Sequence, residues 1–149
     1  MRWVLRPATE NDLEELVEIR AVAMRPDLER LGRYDDHRVR QRLRDSFAPE
    51  HTRIIEVDGE LAGSITVRPA ADRPPGTRWL EHFYLAPRHQ GRGLGTAVLG
   101  SVLSRADADG ATVWLNVLQG SPARQLYERH GFVVHDEDPV DVFMVRKFL

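Results

Sequence analysis

A chain of 149 residues with 42% hydrophobic side chains closes one core of ordinary size, burying roughly 68–70% of the surface of the extended chain, and does not fill two full domains. One domain spanning residues 1–149 is expected. Twenty-one basic against 23 acidic side chains leave a net charge of −2, which excludes the large positive field of a general nucleic-acid or membrane-surface binder. The absence of cysteine excludes a disulfide framework, a thiolate metal site and a cysteine nucleophile. In the opening stretch MRWVLRPATENDLEEL, polar residues interrupt every apolar run before a signal or membrane segment could form, so a cytoplasmic protein is expected.

Trp3 to Arg6 reads as a strand stopped by Pro7, and Thr9, Asn11 and Asp12 offer caps for a helix carrying Leu13, Leu16, Val17, Ile19, Arg20 and Val22. Met24-Arg25-Pro26 is expected to break it, with an irregular loop before a second helix from Asp36 to Phe47. Arg53 to Val57 and Leu61 to Val67 flank Asp58-Gly59, which supplies the positive φ angles of a tight hairpin. A loop rich in proline and glycine then leads to an aromatic strand, Trp79 to Leu85.

After the glycines at 91, 93 and 95, a helix with Val98, Leu99, Val102, Leu103 and Ala106 on its apolar face closes at Gly110. Thr112 to Leu118 is the next strand, and Ser121-Pro122 opens a helix over Ala123 to His130. Phe132 to His135 and Val142 to Phe148 supply two strands around the acidic turn Asp136 to Pro139. The order β α α β β β α β α β β implies an α/β layer structure with a mixed sheet.

Gln90-Gly91-Arg92-Gly93-Leu94-Gly95-Thr96 sits where a strand hands over to a helix, so its N–H groups converge beside the positive end of a helix dipole, a fit for phosphate. A P-loop is excluded, because the only lysine is Lys147. A dinucleotide fingerprint starting at Gly91 needs a glycine where Thr96 stands. What remains is a cofactor whose pyrophosphate sits on the turn while its tail runs along the preceding strand, as in coenzyme A, or glycines that only cap a packed helix.

These residues resemble the GNAT superfamily of N-acetyltransferases, whose acetyl-CoA motif Q/R-x-x-G-x-G/A is matched by Gln90 to Gly95. A second family motif resembles Ala123, Leu126-Tyr127 and Gly131-Phe132, and the opening Arg6-Pro7-Ala8-Thr9-Glu10-Asn11-Asp12 with the Asp58-Gly59 hairpin extends the likeness over essentially the whole chain. The resemblance implies a mostly antiparallel mixed sheet flanked by helices, with two splayed strands admitting acetyl-CoA as cosubstrate and no metal. It implies that backbone groups of Phe83, Tyr84 and Leu85 bond the pantetheine arm and that Gly91 to Thr96 hold the pyrophosphate. It also places Tyr127 beside the coenzyme A sulfur, where a phenol of pKa about 10 stays protonated and can donate to a departing thiolate; the alternative is an aromatic packed in the core.

The acceptor's ammonium must lose a proton before it attacks. Some relatives carry a Glu for this where Asn116 stands, and an amide is no base; Glu81, aligned with a Glu proposed as base in polyamine-type relatives, is the remaining candidate, directly or through water, unless an arginine pairs it. Period-two alternation puts Glu81 on the face of Phe83 and Leu85, with His82 facing the other way. Gly120 replaces an Asn of many relatives, a contact that Ser121 would have to supply. The acceptor groove would lie along Met24 to Asp35. Arg38 with Arg42, and Arg40 with Arg44, form two adjacent stripes on the second helix that either bind a carboxylate or phosphate or are balanced by Asp35, Asp36 and Asp45.

The expected activity is acetyl transfer from acetyl-CoA to a primary amine of a small molecule or peptide in a ternary complex. The alternative is a coenzyme-A-binding sensor or scaffold without catalysis, motivated by Asn116 and Gly120. An RNA-associated protein is disfavoured by the charge balance. Homodimers are common in such a family, and the resemblance admits one here.

Overall fold

In the computed structural model, which describes residues 1–148, seven strands form one sheet in the order β1-β2-β3-β4-β5-β7-β6. The strands are β1 (Trp3–Pro7), β2 (Thr52–Val57), β3 (Glu60–Pro69), β4 (Thr77–Leu85), β5 (Thr112–Leu118), β6 (Val133–Glu137) and β7 (Asp141–Arg146). Every neighbouring pair is antiparallel except β4 with β5. The helices are α1 (Leu13–Arg30), α2 (Asp36–Ser46), α3 (Leu94–Ala108) and α4 (Ala123–Arg129). The expected mostly antiparallel α/β architecture is thus present.

Alternation along the strands divides the core in two. On one face, Ile55, Ile65, Leu80, Val113 and Leu115 pack with Val98, Leu99 and Leu103 of α3 and with Tyr127 and Phe132 at α4. On the other, Ile54 of β2 meets Leu16 and Val17 of α1 and Leu43 of α2. Asp58 and Gly59 both adopt positive φ, 50° and 84°, as the two-residue hairpin between β2 and β3 requires. The Asp35 carboxylate accepts the N–H groups of His37 and Arg38 at 3.0 and 2.7 Å and so starts α2.

Pro26 does not end the first helix. α1 continues through it to Arg30, and the connection to α2 shrinks to residues 31–35. The missing N–H of Pro26 deprives the carbonyl of Val22 of its helical donor, but Val22 is 52% exposed, so water can serve that oxygen. Pairs Arg25–Glu29 and Arg30–Asp27 reinforce the final turns. Two other boundaries move. β6 carries the acidic stretch as far as Glu137, and β7 begins at Asp141.

Candidate active-site cleft

β4 and β5 pair only where Thr77, Arg78 and Trp79 lie beside Thr112, Val113 and Trp114. Aromatic and cation–π contacts hold that junction: the two Trp rings are tilted at 48° with centroids 6.4 Å apart, and the Arg73 guanidinium lies 3.7 Å from the Trp114 centroid. Beyond it the strands part, and a cleft of about 1170 Å³ opens between Leu80–Leu85 on one side and Asn116–Leu118 on the other. Residues of α1 and α2 wall it at one end, and Ser121, Leu126 and Tyr127 at the other. Main-chain groups of β4 that would have joined β5 face this gap, a setting in which an extended amide-bearing arm can bond strand-fashion.

Gln90 to Thr96 stand at the head of α3. Gly91 and Gly93 have φ of 75° and 78°, and a Cβ at either would have nothing within 4 Å, so the turn is left-handed and open on its outer side. Gly93 is the N-cap of a 15-residue helix with no acidic side chain in its first turn, leaving the dipole's positive end uncompensated. Leu94 is buried at 1% exposure and pins the helix start from within, so it can offer a ligand only its main chain. Arg92 and Thr96 are exposed. Gly95 serves packing instead, since a Cβ there would sit 3.7 Å from Leu126 and from Leu85. The Gln90 side chain donates to the carbonyl of Leu85 at 2.8 Å, tying the turn to the end of β4.

The period-two reading of β4 fails at one residue. Ser64 pairs with Tyr84 but Thr66 with Glu81, so β4 holds one extra residue there. The bulge is at His82, whose φ is 49°. Glu81 accordingly shares a face with Tyr84, not with Phe83 and Leu85, and the His82 ring turns to that same Tyr84 side instead of facing away from Glu81.

The bulge feeds a chain of hydrogen bonds. Ser46 donates to the carbonyl of Arg42 at 2.7 Å and accepts at 2.8 Å from His82, which must therefore carry its proton on Nε2. His82 Nδ1 then accepts from the Tyr84 hydroxyl at 2.9 Å, and that hydroxyl accepts from Arg20 Nε at 2.8 Å. Burial, with Arg20 and Arg68 nearby and Glu81 opposing, pushes the His82 pKa down to about 4. The ring is neutral at pH 7. Sequence reasoning missed this network; its one visible signal was Arg20, a charge standing four residues after Leu16 on the apolar stripe of α1.

Tyr127 is 7% exposed, lines the cleft and packs edge-on to Phe132 with ring centroids 5.7 Å apart. Burial and then the neighbouring Tyr84 raise its pKa above the usual phenol value. Among the described residues its hydroxyl has no hydrogen-bond partner, whereas Tyr84's has two. Glu81 also lines the cleft, but Arg68 of β3 grips it at 2.8 and 3.4 Å. Asn116 donates to Asp141 at 3.0 Å. Gly120 is left-handed at φ 77°, and the Arg30 guanidinium fills the space its side chain would take, with a Cβ there 3.0 Å from Arg30 nitrogens. The Ser121 hydroxyl is engaged as an acceptor of the Ala123 N–H at 3.2 Å.

A parallel pair that splays into a cleft bordered by a glycine turn at a helix head defines the class, and comparison with known proteins agrees. The chain belongs to the acetyltransferase (GNAT) family, whose model matches residues 13–132. Its fold is similar to that of the PaiA N-acetyltransferase of Thermoplasma acidophilum, solved with coenzyme A, at 22% identity and a TM-score of 0.79 over 99% of this chain and 100% of that one. It is similar also to the ribosomal-protein-S18-alanine N-acetyltransferase of Escherichia coli, at 18% identity and a TM-score of 0.74 over 99% and 94%. For the N-acetylglutamate synthase of Neisseria gonorrhoeae, complexed with coenzyme A and N-acetyl-glutamate, the values are 18% and 0.67, covering all of this chain and 36% of that one. No curated protein matches the chain in sequence. No helix among the described residues is long and apolar enough to cross a membrane, and no cluster of three or more His, Cys, Asp or Glu side chains there could hold a metal.

Proposed function

We propose that the protein is an N-acetyltransferase that moves the acetyl group of acetyl-CoA to a primary amine of a small molecule or peptide by direct attack in a ternary complex. The observation that carries this reading is the parting of β4 from β5 into a cleft that reaches the glycine turn at the head of α3, where Gln90 and Gly95 line it. Gly91 to Thr96 receive the pyrophosphate, and main-chain groups of Phe83, Tyr84 and Leu85 receive the pantetheine arm and polarise the thioester carbonyl as charge develops on it. Holding both reactants in one cleft supplies proximity. As the amine nitrogen bonds to the carbonyl carbon, the carbon–sulfur bond breaks and the thiolate takes the proton of Tyr127. A buried phenol is protonated at pH 7, so its hydroxyl is a donor to the sulfur as the carbon–sulfur bond breaks. Glu81, oriented by Arg68, accepts the proton of the amine, directly or through a water.

The test begins with calorimetric titration of acetyl-CoA beside ATP and NAD. Selective binding of acetyl-CoA is expected. Tyr127→Phe should then lower acetyl transfer about tenfold or more at pH 7 with acetyl-CoA affinity retained, and an unchanged rate removes Tyr127 from the mechanism. A second reading, a coenzyme-A-binding module without catalysis, draws on the capture of Glu81 by Arg68 and the lack of a carboxylate at Asn116. Transfer to any amine ends it.

A further inference from the structure

The cleft has an unequal charge distribution once its internal pairs are removed. Four carboxylates line it: Arg68 pairs Glu81 and Arg30 pairs Asp27, while Asp141, accepting from Asn116, and Asp138, accepting from the N–H groups of Val140 and Asp141, are held by neutral donors and keep their charge, leaving two acids against the arginines of the lining. Of the four arginines that line it, Arg20 is bound to Tyr84 and to the carbonyl of Val39. Arg33, Arg38 and Arg42 have no carboxylate within 4.0 Å among the described residues.

α2 makes the contrast internal to one helix. Its four arginines do not form adjacent stripes; they flank the buried Val39 and Leu43 on either side, because two residues turn a helix by about 200°. On the flank toward α1, Arg40 meets Glu18 at 2.9 Å and Arg44 meets Glu14 at 2.7 Å. On the flank toward the cleft, Arg38 and Arg42 stand one turn apart with no such partner. The nearby acids do not neutralise them by contact. Asp35 accepts the first N–H groups of α2, Asp36 accepts from Tyr34, and Asp45 accepts from Gln41. Arg42 lies close to the chemistry, since its carbonyl holds the Ser46 hydroxyl that meets the β4 bulge at His82.

We infer that the acceptor is an anionic amine, its carboxylate or phosphate taken by Arg38 and Arg42 with Arg33 at the mouth of the cleft. This rests on the N-acetyltransferase reading. Two guanidinium groups at i and i+4 present parallel forks to one planar or tetrahedral anion, and each charge-assisted bond is stronger than a neutral one. The amine, at the other end of the molecule, is thereby directed inward between β4 and β5.

The experiment compares acceptors that share an amine and differ at the far end: 4-aminobutyrate with butylamine and 1,4-diaminobutane, O-phosphoethanolamine with ethylamine, and an L-amino acid with its amide. A preference of about tenfold or more in kcat/KM for anionic members is expected, falling with added salt, and the carboxylate and phosphate arms identify which anion is read. Arg38→Gln with Arg42→Gln should reduce the preference to less than about threefold through KM, with acetyl-CoA affinity monitored as the check on folding. Arg38→Lys with Arg42→Lys, which keeps charge and loses the fork, should fall between. Arg40→Gln, on the opposite flank, should keep the preference. Equal use of neutral and anionic amines, or a preference that survives the double Gln variant, overturns this inference and leaves acetyl transfer standing. No transfer to any acceptor overturns both.

Discussion

Alanine at Gly63 is the perturbation to which the cleft should be most sensitive. Gly63 lies on β3 opposite Leu85, beside the bulge in β4. A Cβ there would fall 1.9 Å from the carbonyl oxygen of Tyr84 and 2.9 Å from its carbon. Both atoms are main chain, so no side chain can swing aside, and β3 and β4 must separate by about 1 Å before the contact becomes tolerable. Overpacking of this kind costs about 1–3 kcal/mol, which for a domain of this size lowers Tm by roughly 2–12 °C. The same displacement moves the end of β4 that walls the cleft, and a misplacement of about 1 Å can cost on the order of a hundredfold in rate. Thermal unfolding, acetyl-CoA titration and turnover read the two effects separately. Gly100→Ala serves as the comparator, since a Cβ in that interior turn of α3 meets nothing within 4 Å and should stabilise by about 0.5–1 kcal/mol. A Gly63→Ala protein with unchanged Tm and unchanged acetyl-CoA affinity would refute the argument that this glycine admits the bulged strand.

Two pH effects follow from the paired groups. His82 is held neutral in the folded chain and titrates near its ordinary value when unfolded, so the native state resists a proton that the unfolded state accepts. Its contribution is whole above pH 6.5 and is lost as pH falls through that value to about 4; His82→Asn, whose side chain tolerates a positive φ, should flatten stability against pH across that window in denaturant titrations. Asp12 accepts two bonds from Arg6 at 2.9 and 3.0 Å and one from the Thr9 N–H at 2.8 Å, which hold its carboxyl below the usual range. That stability is present above the ordinary carboxylate pKa and disappears as pH falls beneath it, so Asp12→Asn should be less stable at pH 7 and lose less on acidification. Equal acid-unfolding curves for Asp12→Asn and the parent would show that the Arg6 pair contributes nothing.

Much of the molecule is written locally. The hairpin at Asp58-Gly59, the start of α3 at the glycines and the alternation of strands and helices in the second half depend on φ preferences and on periods of 2 and 3.6, which neighbouring residues alone specify. The turn from Gln90 to Thr96 was legible for the same reason: positive φ and a helix N-terminus are properties of a few consecutive residues. Tertiary structure decided the rest. Whether Pro26 ends α1 depended on Val22 facing water and on pairs formed by Arg25 and Arg30, not on proline alone. The face on which Glu81 lies depended on one extra residue that β4 carries against β3, and a single bulge inverts every side chain that alternation assigns beyond it. Its partner Arg68 sits on the neighbouring strand, and His82 meets groups from α2 and β4 that no spacing rule connects. Likewise, the sequence set four arginines on α2 but could not distinguish them. Docking against α1 gave Glu14 and Glu18 to one flank and left the other to the cleft, because charge pairing across elements is fixed by which surfaces meet, and that is settled only when the whole chain packs.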